Sequence, residues 1–440
     1  MIWPFTSLFG VEPWVIRIPA VLAWFAAVIM NWYMASKLFE SPKAGHYAAL
    51  VIGSVPIMQG GFHTVTPDAP MMLFASISYF CIWRAVTQQS ARYWLIAGGM
   101  VGATLLAKYP GVLLPALLFI ALLLNKDGRQ SLQSLWPWLA VLLAVLLFMP
   151  VVIWNYQNDW ISFAFQFNHG VKAERGASLY NLFAYVVQQM AILLPWTWIA
   201  MVIAVYQARH YVQDRFAYVL LVTGFVFPLV FFGMAGLTVI GGANWPVMAY
   251  IPGAILLGGM LASWGNTVTA RRIKISLVVF TVLLSIVLTT MMRYTLELRQ
   301  AGLSFIPGSQ VDNTYDWPKL AAAVQTVYRF ERQQGACAVM ANWHYVAAEL
   351  SFEFKDMDIV IPDPVSTVHQ YIIWKKQGYD KLPPCVYVRE IDAKHKSATT
   401  TLAIEGYGNW KIHSYAERTT PAGTHTYGIY TRLSSESVKH

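Results

Sequence analysis

The stretch that decides the fold is a short polar break between two long apolar segments, Phe62-His63-Thr64-Val65-Thr66-Pro67-Asp68-Ala69-Pro70. It places a carboxylate, an imidazole and two prolines beside residues that would lie in lipid. An ionisable side chain is expensive in that setting, and one that is kept there usually has a function. Asp68 and His63 are therefore the first candidate site residues.

The composition indicates an integral membrane protein. Of 440 residues, 57% are hydrophobic and only 12% are charged, whereas soluble domains carry about 25% charge. The net charge of +9 falls mostly in short loops between apolar segments. Membrane topology explains that distribution better than nucleic-acid binding does, so no nucleic-acid partner is predicted.

Apolar stretches of membrane-spanning length recur along the first two thirds of the chain. They predict about ten helices, near residues 14–34, 44–62, 69–86, 93–107, 110–125, 134–154, 181–206, 216–236, 246–264 and 274–292. The pair at 93–107 and 110–125 is short and is broken at Lys108-Tyr109-Pro110. We expect this hinge to lie within the membrane, near a cavity.

Lysine and arginine set the predicted orientation. They are concentrated in one alternating set of loops, which should be cytoplasmic. Both termini are then outside, together with the loops at 63–68, 156–180 and 237–245. Residues 1–12 lack a basic region and a cleavage site, so they are expected to lie in the outer interface rather than to form a signal peptide.

Residues 293–440 are polar and mixed, which divides the chain into a transmembrane domain, 1–292, and an extracytoplasmic domain, 293–440. β-like runs near 336–340, 357–361, 385–389 and 425–431 alternate with a helix over 316–334, capped by Asp316, and another over 345–352. The sequence therefore predicts a small C-terminal α/β domain. Cys337 and Cys385 each lie in a β-like run, and a disulfide between them stays open.

The remaining candidate site residues also collect on the predicted outer side. In addition to Asp68 and His63 they are Lys108, Tyr109, His169, Lys172, Arg175, Asn244 and Trp245. Basic side chains there would hold a phosphate through charge-assisted hydrogen bonds. A carboxylate could take the proton of an attacking hydroxyl. The combination favours a reaction on a lipid-linked anion, with Asp68 as the catalytic residue.

Each candidate also has a structural interpretation. Asp68 could cap the helix that follows it, and Lys108 could reach the interface from a helix end. His169-Gly170 could form a turn, and Asn244-Trp245-Pro246 could be an aromatic belt at a helix start. No cofactor is predicted. A metal site has weak support, because His63 and Asp68 have no recognised zinc spacing, and a divalent metal ion is left open.

Several motifs together resemble one family, the GT-C membrane glycosyltransferases of the protein mannosyltransferase and aminoarabinose transferase (ArnT-like) group. The matching stretches are residues 8–19, Thr66-Pro67-Asp68-Ala69-Pro70, residues 102–109 ending in Ala107-Lys108-Tyr109, Asn168-His169-Gly170, and residues 243–250 beginning Ala243-Asn244-Trp245. Their order and their placement along the chain give the resemblance its weight. It is loose over 293–440.

The resemblance implies a GT-C fold of about ten transmembrane helices and a reaction at the outer face of a bacterial inner membrane. Such enzymes pass a sugar, with inversion, from a polyprenyl-phosphate donor to a lipid, glycan or protein acceptor. By similarity, Lys108 and Arg175 would contact the donor phosphate, and Asp68 would orient the acceptor, the sugar or a supporting residue. The polyprenyl tail would enter a groove between helices.

One departure from the family stands out. Its members normally begin with one more helix and an acidic outer loop that supplies the catalytic base, and this chain starts near the end of that loop. We expect a downstream start, a truncated form, or transfer of the role to Asp68 or Glu12. The alternatives to an enzyme are a catalytically impaired scaffold that binds lipid-linked sugar and a transporter.

Overall fold

The computed structural model describes residues 1–55, 65–170, 178–238, 241–265, 267–303, 315–354, 358–360, 382–391 and 400–433. Within these residues the chain divides into two compact units, Met1–Thr289 and Thr290–His440. The first unit is helical, and the second contains a six-stranded sheet.

Fourteen helices lead from the N-terminus to the end of the apolar region in the described part of the chain. They are α1 (Ile2–Phe9), α2 (Pro13–Leu38), α3 (Pro42–Ser54), α4 (Asp68–Thr87), α5 (Ala91–Ala107), α6 (Leu113–Leu124), α7 (Lys126–Ser131), α8 (Trp136–Gln157), α9 (Ile161–Gly170), α10 (Leu179–Leu193), α11 (Pro195–Tyr211), α12 (Arg215–Gly236), α13 (Tyr250–Ser263) and α14 (Val268–Arg293). Two 3-10 turns, Tyr109–Val112 and Val247–Ala249, precede α6 and α13.

Five of the described helices are long and apolar enough to cross a membrane: α2, α4, α8, α12 and α14. The bent pair α10 and α11 would make a sixth span if it is one segment. Three shorter apolar stretches, Ala91–Ala107, Tyr109–Leu124 and Val247–Ser263, lie between them. The chain is therefore a multi-pass membrane protein, and its helices fall in the regions that the apolar pattern predicts.

The span predicted over 181–206 is interrupted in the structure, because the helix breaks at Leu194. Helices α10 and α11 meet there at an angle of 102°. Leu194 has a positive φ of 68° and precedes Pro195, which disfavours helical backbone in the residue before it. An apolar composition hid the break, since both helices are hydrophobic.

Helices α5 and α8 pack closely through small residues. Gly98 and Gly102 lie four apart on α5, and each faces α8. A Cβ atom at Gly98 would lie 2.4 Å from the Ala140 carbonyl oxygen, and one at Gly102 would lie 2.9 Å from Leu147 Cβ. Small residues at this spacing allow two helices to approach closely within a membrane.

Gly98→Ala is therefore expected to lower the midpoint of thermal unfolding, measured in detergent. Overpacking a helix contact costs about 1–3 kcal/mol, which exceeds the gain of about 1 kcal/mol from the better helix propensity of alanine. Gly99→Ala is the matched control on the same helix, because its nearest neighbour, Leu143 Cδ2, is 4.0 Å away. Equal midpoints for the two variants would contradict the close packing.

The second unit is an α/β domain. Its helices are α15 (Thr295–Gln300), α16 (Trp317–Arg332) and α17 (His344–Glu353), and its strands are β1 (Ala338–Ala341), β2 (Ile359–Val360), β3 (Pro384–Ile391), β4 (Thr401–Ile404), β5 (Gly408–Thr420) and β6 (Gly423–Arg432). The sheet order is β2-β1-β3-β6-β5-β4. Strands β2, β1 and β3 are parallel, and the remaining pairs are antiparallel.

The sequence analysis missed strands β4 and β5. In β5 the inward positions include Trp410, Ala416 and Arg418, all buried. Arg418 stacks its guanidinium on Trp317, 4.2 Å from the ring centroid, and donates to the Tyr315 carbonyl oxygen at 3.0 Å. A buried arginine interrupts the apolar alternation by which a strand is recognised.

Two further features of this unit bear on the sequence analysis. Asp316 occupies the predicted N-cap position of α16, and its carboxylate accepts from the Thr419 backbone N–H at 3.0 Å rather than from the first turn of the helix. Cys337 and Cys385 form a disulfide with their Cα atoms 5.6 Å apart. That bond links the residue before β1 to strand β3.

Candidate functional site

Asp68 is the first residue of helix α4 and is 5% exposed. A carboxylate in the first helical turn is stabilised by the positive end of the helix dipole. The helix has no side-chain cap bond at its N-cap residue, Pro67. Asp68 is therefore a first-turn residue rather than the N-cap, and its carboxylate oxygens bond to side chains from two other segments.

Lys108 lies where helix α5 ends, in extended backbone before the 3-10 turn. The chain turns back sharply at Gly111, where a Cβ atom would lie 2.6 Å from the Thr104 carbonyl oxygen. This turn brings the Lys108 ammonium within 2.7 Å of Asp68 Oδ1. The two side chains are 7% (Asp68) and 20% (Lys108) exposed.

Asn244 supplies the third side chain, from the segment before helix α13. Its Nδ2 donates to Asp68 Oδ2 at 2.8 Å. The backbone around it is turned by bonds from Trp245 N to the Gly242 oxygen and from Val247 N to the Asn244 oxygen. Each carboxylate oxygen of Asp68 therefore accepts from a different segment of the chain.

We call Asp68, Lys108 and Asn244 the outer polar cluster, after the side of the membrane on which the sequence predicts these residues. Among the described residues, the Lys108 ammonium has one hydrogen-bond acceptor, Asp68, although an ammonium has three N–H groups. Part of its side chain is accessible. Within the described residues the ammonium therefore keeps N–H groups that Asp68 does not take, and charged N–H donors of this kind bind phosphate oxygens.

Two buried residues that the sequence analysis missed support the segment that bears Asn244. Gln189 of α10, 1% exposed, donates through Nε2 to the Ala243 carbonyl oxygen at 3.3 Å. Its Oε1 accepts from the hydroxyl of Tyr250, which is also buried. A glutamine inside an apolar segment of membrane length was the signal that could have identified this support.

Tyr109 joins the hinge beside Lys108 to helix α9. Its hydroxyl lies 2.5 Å from Ser162 Oγ, and Ser162 donates to Asn155 Oδ1 at 2.7 Å. The Tyr109 ring also meets the Phe163 ring edge-on, with centroids 5.6 Å apart. Neither Ser162 nor Asn155 was a candidate from the sequence. In the structure Asn155 is fully buried.

The structure locates the other predicted residues less completely. Trp245 packs its ring against Phe232, 5.7 Å between centroids. His169 lies in the last turn of α9. His63, Lys172 and Arg175 lie outside the described residues. In the part of the chain that the structure describes, no group of three or more His, Cys, Asp or Glu side chains could hold a metal ion.

Comparisons with known proteins agree with these features. The sequence model of the dolichyl-phosphate-mannose-protein mannosyltransferase family matches residues 1–154, which include Asp68 and Lys108. Over 298 residues the chain is 23% identical to the undecaprenyl phosphate-alpha-4-amino-4-deoxy-L-arabinose arabinosyl transferase 1 of Pseudomonas fluorescens (strain Pf0-1), covering 65% of this chain and 51% of the relative.

A second relative is the corresponding arabinosyl transferase of Pseudomonas aeruginosa (strain LESB58), 24% identical over 277 residues, with 60% of this chain and 49% of the relative covered. The chain thus spans about half the length of these relatives. The crystal structure of ArnT from Cupriavidus metallidurans bound to undecaprenyl phosphate superposes with a TM-score of 0.64 at 13% identity, covering 97% of this chain and 86% of that one.

The fold is therefore that of the GT-C membrane proteins, with a small C-terminal sheet domain, and the predicted fold class is confirmed. In sequence the chain is similar to the arabinosyl transferases and, over residues 1–154, to the mannosyltransferase family model, in agreement with the resemblance of its motifs.

Proposed function

We propose that the protein is a glycosyltransferase that moves a sugar from a polyprenyl-phosphate donor to an acceptor at the outer face of a bacterial inner membrane. One observation carries the proposal: the Lys108 ammonium, held by Asp68 at 2.7 Å, has no second acceptor among the described residues, and its side chain is 20% exposed. The names of the related arabinosyl transferases support a phosphate-linked sugar as donor. The proposal leaves the sugar open among aminoarabinose, mannose, galacturonic acid and others. It leaves the acceptor open among lipid A, a polysaccharide and a protein.

The reaction joins an acceptor oxygen to the anomeric carbon and breaks the bond from that carbon to the phosphate oxygen. The proton of the acceptor hydroxyl passes to the departing phosphate or, if Asp68 is the base, to its carboxylate, and polyprenyl phosphate leaves. In this proposal Lys108 binds the phosphate and stabilises the charge that develops on it. Attack from the face opposite the phosphate inverts the anomeric centre, as expected for the GT-C group.

The contacts of Asp68 favour a particular role for it. Both carboxylate oxygens already accept hydrogen bonds, from Lys108 and from Asn244. We infer that Asp68 positions Lys108 toward the donor phosphate. The role of catalytic base, expected from the sequence, stays a prediction, and the variants described in the Discussion separate the two.

An apolar cavity of about 350 Å³ supports the proposal that the donor has a lipid tail. Its lining includes Leu182, Tyr185, Leu229 and Gly233, and Gln189 forms part of the wall. Gln189 also bonds to the backbone next to Asn244, so it connects the wall of the cavity to the segment that bears Asn244. A polyprenyl tail in this cavity would be close to the segment that bears Asn244.

The Cys337–Cys385 disulfide supports an extracytoplasmic C-terminal domain, because disulfides persist in oxidising compartments. The strong bias of lysine and arginine toward the alternate loops supports the same orientation.

Ligand-induced stabilisation tests the proposal without knowledge of the acceptor. The full chain in lipid nanodiscs is titrated with undecaprenyl phosphate and, separately, with undecaprenol, which has the same tail and no phosphate. A ligand that binds the folded state raises the unfolding midpoint as its concentration exceeds Kd. We expect a larger rise with the phosphate. Equal effects of the two lipids would contradict a phosphate site.

A further inference from the structure

The C-terminal domain has a topological switch point in its sheet. The chain leaves β1 toward α17 and then β2 on one side of β1, whereas it leaves β3 toward β4 at the opposite edge. Strands β1 and β3 are parallel neighbours, so the switch point lies at their carboxyl ends. In open α/β sheets ligands bind at this position.

Polar side chains from three segments meet at this position. Glu390, at the end of β3, accepts from the Tyr345 hydroxyl at 3.0 Å. Tyr345 lies in helix α17, which follows β1. His425 of β6 lies 2.6 Å from the other carboxylate oxygen. Burial and the neighbouring Glu390 raise the pKa of Tyr345, so its phenol keeps the proton that it donates. Glu390 and His425 remain 30% and 26% exposed, respectively.

An exposed aromatic ring adjoins these polar groups. Trp343, directly after β1, is 37% exposed. Its ring lies nearly parallel to that of Tyr345, with centroids 6.2 Å apart and planes inclined by 19°. Tyr345 therefore connects the two features: its ring supports Trp343 from one side, and its hydroxyl bonds to Glu390.

A saccharide fits this combination of groups. A pyranose ring has a flat face of C–H groups that packs on an aromatic ring, as apolar groups pack on the faces of Trp and Tyr. Its rim carries hydroxyls, each of which can donate and accept. A carboxylate, an imidazole and a phenol lie partly exposed beside one ring, and besides bonding to one another they are side-chain types that bond to such hydroxyls.

We propose that the C-terminal domain has a saccharide-binding site of its own, formed by Trp343, Tyr345, Glu390 and His425. The site is independent of the outer polar cluster and of the proposed transfer reaction. The site would give the protein a second contact with a glycan, in the C-terminal domain rather than among the membrane helices.

Saturation-transfer NMR on the full chain tests the site, in a detergent without a sugar headgroup. The probes are methyl glucopyranoside, glucosamine and glucuronate, which represent neutral, amino and acidic sugars. We expect saturation transfer to at least one of them. Trp343→Ala should weaken its binding about tenfold, the effect of removing one stacking ring, and Glu390→Gln should weaken it while preserving the side-chain shape.

Tyr415→Ala is the matched control, because Tyr415 lies in the same domain and is 40% exposed. It should leave the binding unchanged. Retention of the Cys337–Cys385 disulfide and of the unfolding midpoint shows that each variant is folded. The proposal is overturned if no probe receives saturation, or if folded Trp343→Ala and Glu390→Gln proteins both bind as tightly as the unmodified chain.

Discussion

Replacing Asp68 by asparagine is expected to abolish sugar transfer while the protein still folds. An amide can accept from Lys108, and the Asn244 amide can rotate to present its oxygen, so the shape of the outer polar cluster survives. The negative charge that holds the Lys108 ammonium at 2.7 Å is lost. Loss of a placed charge or of a positioned proton acceptor lowers a rate by roughly 10²–10⁴-fold.

The kinetic constants of Asp68→Asn separate the two roles of the carboxylate. If Asp68 positions Lys108, the variant raises the donor KM and lowers kcat together. If Asp68 is the base, kcat falls and the donor affinity stays. The measurement is the initial rate of sugar transfer in proteoliposomes against donor concentration. Transfer at the unmodified rate would exclude both roles.

Replacing Lys108 by methionine is expected to weaken donor binding by about 10–100-fold. That range corresponds to the loss of one hydrogen bond to a charged group, about 1.5–3 kcal/mol. The change also leaves the Asp68 carboxylate buried with Asn244 as its remaining described partner. Breaking a buried ion pair on one side destabilises a protein strongly, so a lower unfolding midpoint is expected too.

A double variant separates these two effects. In Asp68→Asn with Lys108→Met no charge is left in the cluster, so the stability lost in Lys108→Met should largely return. Donor affinity should stay low, because the cation is still absent. Lys108→Arg keeps the cation and should retain more affinity than Lys108→Met. Donor binding at full strength in the double variant would show that Lys108 does not contact the phosphate.

Individual residues of the outer polar cluster could be predicted from the sequence, but their contacts could not. Asp68, Lys108 and Asn244 stand out because each is a polar residue beside an apolar segment. The pairs are 40 and 176 positions apart, and no local pattern states which segments meet. The break at Lys108-Tyr109-Pro110 was readable because proline cannot continue the preceding helix.

Supporting residues were harder to predict, for a related reason. Gln189 lies on a helix whose apolar residues dominate any hydropathy average over a window, so this one polar residue and its two hydrogen bonds are hidden. Leu194 is apolar and begins no polar loop, although the chain turns by 102° there. In the C-terminal domain, Arg418 is buried by stacking on Trp317, which no hydrophobic pattern anticipates. In each case a tertiary contact overrides the local signal.

The most direct test of the central claim is consumption of the donor. Proteoliposomes that contain the full chain are incubated with polyprenyl-phosphate-linked aminoarabinose, mannose or galacturonic acid and with bacterial envelope lipids and glycans. Released polyprenyl phosphate is followed by mass spectrometry. We predict release with one of these donors, dependent on an acceptor and absent in Asp68→Asn. A donor that binds through Lys108 but is never consumed would contradict the enzyme and establish a binding scaffold.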